Sequence, residues 1–140
     1  MISIRFVSSI IVFMALLHVT YGHARSPEDV MTEMDKAVDM TVSTYKVSGM
    51  TGLVEMTSDC YDKTASKEFI CVYIDLASRY IDQRMSEAFN FPPTEFYQDE
   101  QFGARISGVF IQHDINMEKC NEYLRAATPA INKIVDHKLQ

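Results

Sequence analysis

From residue 26 onward the apolar positions of the chain recur at spacings of three and four, the pattern of helices that bury one face, and period-two alternation is nearly absent. Ser26, Pro27, Glu28 and Asp29 supply an N-cap, a proline at the first helical position and acids in the first turn. Val30, Met34, Ala37, Val38, Thr41 and Tyr45 then share one face as far as Gly49, a helix stop, so a first helix is predicted over about 27–47. Thr51 caps a shorter second helix that carries Leu53, Val54, Met56, Cys60 and Tyr61. Ser66 caps a third, with Phe69, Val72, Tyr73, Leu76 and Tyr80 in one stripe and Ile70, Ile74, Ala77, Ile81 and Met85 in another. A helix apolar on two sides belongs at the centre of its bundle.

Pro92 and Pro93 interrupt the pattern over 90–102, where Thr94 can cap one short helical turn. Residues 104–115 read equally as helix or short strand, because Ile106, Val109 and Phe110 keep helical spacing while Gly108 and the β-branched content weaken it. Asn116 caps Met117, Cys120, Tyr123 and Leu124, and after Thr128 and Pro129 a last helix places Ile131, Ile134 and Val135 on one face. The sum is an all-α domain, a small bundle of five or six helices.

The chain ahead of this bundle follows a different rule. Arg5 precedes a run from Phe6 to Val19 broken only by Ser8, Ser9 and His18, and Gly22 and Ala24 are small residues placed for signal peptidase. Residues 1–24 are therefore expected to be a cleaved signal peptide, with the mature domain starting at Arg25 and running to Gln140. An apolar core of about 14 residues is shorter than the roughly 20 that span a bilayer, so no membrane span should remain after processing. The protein is expected to be exported: periplasmic in a bacterium, otherwise secreted.

The remaining 116 residues have room for one core. They carry 12 Lys and Arg against 19 Asp and Glu, a net −7 that disfavours nucleic acid and anionic lipid as partners. No nucleophile elbow, zinc-protease, phosphate-loop or dinucleotide motif is present. His113 and Asp114 are sequence neighbours and would project apart on a helix, while His137 lies at a helix end where a cation is favourable. The acid pairs Asp35 with Asp39 and Asp29 with Glu33 read as a solvated face. The chain is thus read as a non-enzyme without cofactor or metal.

The segment 90–102 interleaves Phe91, Phe96 and Tyr97 with Glu95, Asp99 and Glu100. Aromatic anchors with a charged rim are how protein interfaces are built, and stiff proline-containing loops display them cheaply in entropy. These six residues are the candidate partner-binding set. The opposite reading, in which the aromatics fold under the bundle, fits their size equally well.

Two cysteine-bearing stretches, Leu53 to Tyr61 and Glu118 to Tyr123, resemble helix segments of the immunity proteins of type VI secretion amidase effectors, the Tai and Rap group. Their Lys-Cys pair followed three residues on by Tyr matches Lys119, Cys120 and Tyr123, and Ile131 to Val135 is similar to their apolar C-terminal helix. The resemblance implies a periplasmic helical homodimer that binds a peptidoglycan amidase and plugs its cleft. A secreted carrier or chaperone enclosing an apolar ligand is the alternative reading. Three cysteines, Cys60, Cys71 and Cys120, allow one bridge in an oxidising compartment. On one continuous helix Cys60 and Cys71 would stand roughly 16 Å apart, so a Cys60–Cys120 bridge with Cys71 reduced and buried is expected, unless a turn near Thr64 brings the first two together.

Overall fold

The computed structural model describes residues 25–63 and 68–140; the expected signal peptide, and Ser66 as a cap, lie outside them. The described residues form four helices and no strand: α1 (Pro27–Lys63), α2 (Phe69–Phe89), α3 (Asp99–Gln112) and α4 (Met117–Leu139), with a short 3-10 turn at Glu95–Tyr97. The all-α expectation holds, and the ambiguous stretch 104–115 is helix as far as Gln112, with a turn at His113 and Asp114.

Two local features reduce the expected five or six helices to four. At Gly49 the backbone leaves the helical region (φ 62°, ψ −155°), so the stop expected there is present, and α1 is two helical arms joined at that residue and counted as one element. The bend is sharp. Thr44 Oγ1 donates to Met56 Sδ at 3.3 Å, although 12 residues of straight helix would separate them by about 18 Å. At Gly52 a Cβ would lie 2.4 Å from the Cβ of Ser48, so the two arms can meet only over a glycine. The expected break at Pro129 does not occur, for Pro129 lies inside α4. Pro129 and Arg125, the residue whose carbonyl loses its helical partner, are both exposed.

The caps follow the sequence. Ser26 Oγ accepts from the Asp29 N–H at 3.1 Å while Asp29 Oδ2 accepts from the Ser26 N–H at 3.2 Å and its hydroxyl at 2.7 Å, a reciprocal capping box. Asn116 Oδ1 accepts from the Lys119 N–H at 2.9 Å. The i, i+4 acids of α1, by contrast, do not form a merely solvated face: Glu33 pairs with Arg25 at 2.6 Å, and Asp35 and Asp39 both reach Lys138 Nζ, at 2.9 and 2.6 Å.

α2 is the central helix, with residues 71–78 buried without interruption. It runs antiparallel to the second arm of α1, as the pairs Cys60–Cys71, Tyr61–Asp75 and Thr57–Ser78 show. It runs parallel to α4, through Tyr73–Tyr123 and Tyr80–Asp136. One end of the core is a knot of rings: Phe69 meets Phe110, Tyr123 and His113 with centroids 5.3, 5.5 and 5.2 Å apart.

The disulfide differs from the expected pairing. Cys60 bonds Cys71, with 5.6 Å between their Cα atoms, and Cys120 is the free, buried thiol. Cys60 and Cys71 are on two antiparallel helices and not on one, so the roughly 16 Å of a continuous helix never applies. Burial raises the Cys120 thiol pKa and leaves it a poor nucleophile.

Candidate functional site

α2 has a third buried stripe that is polar. Asp75, Ser78, Asp82 and Ser86 recur at spacings of three and four, with exposures of 0, 0, 1 and 8 %, and each is spent on holding another segment. Asp82 accepts from the Thr94 N–H at 2.9 Å and from its hydroxyl at 2.6 Å. The Ser86 hydroxyl donates to the carbonyl of Phe91. Asp75 accepts from Arg105 Nε and Nη2 at 2.8 and 2.9 Å and from the Tyr61 hydroxyl at 3.1 Å. Thr57 Oγ1 lies 3.5 Å from the Ser78 hydroxyl and 3.2 Å from that of Tyr97.

These bonds hold the segment 90–102 at Phe91, Thr94 and Tyr97, and the chain just beyond it at Arg105. Asn90 takes the left-handed conformation (φ 53°), which asparagine tolerates, and returns its N–H to Ser86 to end α2. Thr94 occupies the N-cap position of the 3-10 turn, yet its side chain is engaged by Asp82. Arg105 then lies 3.8 Å from the centre of the Phe96 ring, sandwiched between that ring and Asp75.

The six expected partner-binding residues are thereby divided. Tyr97 is buried, at 2 %, inside the hydroxyl network, and it is core, not surface. Phe96 is half-buried over Arg105. Phe91 remains 43 % exposed, and Glu95, Asp99 and Glu100 are exposed, Asp99 paired with Arg79. Phe102 is buried with Arg79 over its ring at 4.3 Å. The residue that sequence reasoning missed is Phe89, exposed at 69 % and stacked on Phe91 at 6.2 Å with the ring planes 9° apart. It follows Met85 at i+4 and so looks like the end of an apolar stripe. The polar stripe of α2 had a legible signal, Asp75, Ser78, Asp82 and Ser86 following one another at spacings of three and four.

The chain matches no family model, no curated protein and no solved structure.

Desolvation sets the ionisation of the buried groups. It raises the Asp75 carboxyl above its usual range, even though Arg105 and Tyr61 pull the other way. It also holds the Tyr97 phenol up at about 12 and the Tyr61 phenol higher still. These groups are structural. The segment 85–104 carries Glu87, Glu95, Asp99 and Glu100 and no Lys, Arg or His, and of these acids Asp99 is paired with Arg79. Among the described residues no three His, Cys, Asp or Glu side chains are placed to hold a metal ion, and no helix is long and apolar enough to cross a membrane.

Proposed function

We propose that the protein is an exported, non-catalytic binding protein that seats a protein partner on the segment 89–100. In the sharpest form of the reading it is an immunity protein, a periplasmic homodimer that plugs the cleft of a peptidoglycan amidase, as the resemblance of Leu53–Tyr61 and Glu118–Tyr123 implies. The observation that carries the binding reading is the exposed Phe89–Phe91 pair, displayed by a backbone that Asp82 and Ser86 tie to the central helix. A surface ordered before association avoids most of the entropy that loop ordering would cost. The neighbouring carboxylates favour a basic partner and accelerate encounter with it.

The test is recovery of the tagged mature chain from its source cells with a bound protein identified by mass, followed by affinity measurement with that protein. The expected partner is a basic cell-wall amidase that loses activity on binding. Phe91→Ala should weaken the complex by about 2 kcal/mol or more, roughly thirtyfold. A partner that binds wild type and Phe91→Ala alike, with Glu95, Asp99 and Glu100 also dispensable, overturns the assignment of this surface.

A further inference from the structure

Three aromatic rings at the edge of the core, those of Phe96, Phe102 and Tyr80, come with an arginine attached. Arg105 stands 3.8 Å from the Phe96 ring centre and bonds Asp75; Arg79 stands 4.3 Å from Phe102 and pairs with Asp99; Arg84 stands 5.8 Å from Tyr80 and pairs with Asp136. Three times a guanidinium is held between a carboxylate and a ring face, which suits a planar, weakly hydrated cation. The exposed rings of Phe89 and Phe91 have no such partner: they are stacked on each other, and among the described residues no cation lies over either ring. Carboxylates are close in sequence, but Glu87 and Glu95 receive only the amides of Gln83 and Gln101, at 3.0 and 3.4 Å.

We infer that the partner supplies a cation here: an arginine side chain of a basic protein surface lies on the Phe89–Phe91 pair, in a stretch of chain whose Glu87, Glu95 and Glu100 form no ion pair among the described residues. This rests on the protein-binding reading and names its anchor. Charge selects this occupant over the others. A second copy of the chain would bring another acidic 85–104 segment against the first, and an anionic membrane would be repelled by the same glutamates, Glu87, Glu95 and Glu100. Arginine is favoured over lysine because its guanidinium stacks flat on a ring at smaller desolvation cost.

The experiment titrates the mature chain, 25–140, at low salt with two capped peptides of equal length and charge, one alternating arginine and glycine, the other lysine and glycine. Binding is followed by calorimetry and by the ring-proton shifts of Phe89 and Phe91. The arginine peptide is expected to bind severalfold more tightly. Phe89→Leu/Phe91→Leu, which keeps apolar bulk and removes the rings, should cost it about fivefold and bring it to the level of the lysine peptide. Should the double variant not fold, Phe89→Leu alone, at the more exposed ring, should lose about twofold. Equal affinity for the two peptides, no binding of either, or full retention by the folded leucine variant overturns the arginine anchor. A protein partner that tolerates Phe89→Leu/Phe91→Leu but not Phe91→Ala would leave protein binding standing and overturn only the cation.

Discussion

At Asp75 a carboxylate with no exposed surface meets a guanidinium that bonds both its oxygens and a phenol that bonds one. Removing one member of a buried pair costs more than the pair contributes, because the survivor stays desolvated. Asp75→Ala is accordingly expected to lower stability by about 3 to 5 kcal/mol in urea denaturation, with Asp75→Leu/Arg105→Met recovering much of it. Near-additive losses in that double variant would show that the two side chains do not act as a pair. The buried phenols set the alkaline limit. Desolvation places Tyr73 and Tyr97 at about 12 and Tyr123 well above its usual value, whereas in the unfolded chain they ionise near about 10. Raised acids stabilise the fold fully below the unfolded pKa and lose that contribution as pH climbs through the folded one. The melting temperature should therefore fall steeply from about pH 10 toward pH 12, while native tyrosinate absorbance lags that of the urea-unfolded chain. Coincident tyrosinate titrations in the two states would contradict the burial.

Within α1, Gly49 and Gly52 do different work. Gly49 has open space where a Cβ would go, so the cost of Gly49→Ala is that of the backbone alone, at a φ and ψ almost confined to glycine. A loss of about 1 to 3 kcal/mol is expected, and thermal unfolding of the variant checks it; an unchanged melting temperature would mean that α1 does not bend there. The second arm of α1 is also stapled to α2 by Cys60–Cys71 across 11 residues of sequence. Closing a loop of that size stabilises by about 3 kcal/mol in the chain-entropy account. Reductant should remove that much. Cys120→Ser should leave the bridge in place, and peptide mapping without reductant reads it directly, a Cys60–Cys120 peptide being the contrary result.

For the whole molecule, function and stability should separate along the division of the aromatics. Phe96 covers Arg105 above the buried Asp75, whereas Phe91 lies outside the core on a carbonyl anchored by Ser86. Phe96→Ala is expected to lower the melting temperature by several degrees and Phe91→Ala to leave it nearly unchanged, with partner affinity responding chiefly to Phe91. Circular dichroism melts of the two variants decide the first half, and a Phe91→Ala variant that melts as early as Phe96→Ala would return both rings to the core.

How much of this could be read in advance depends on the range over which each decision is made. The capping box at Ser26 and Asp29, the cap at Asn116, the turn at Gly49 and the burial of Phe69, Val72 and Leu76 are set by neighbours within four residues, which sequence displays directly. Sequence alone thus determined the all-α class, most of the helix positions and the central place of α2. Which cysteines join, how far α1 folds back at Gly49, and whether Phe89, Phe96 or Tyr97 faces solvent depend on which helices approach one another. Local periodicity is silent about that, because an apolar ring is equally suited to a core and an interface. Tertiary structure decided those points through Asp75, Asp82 and Ser86: groups too polar to bury alone, they are buried because Arg105, Thr94 and Phe91 bring hydrogen-bonding partners to them from elsewhere in the chain.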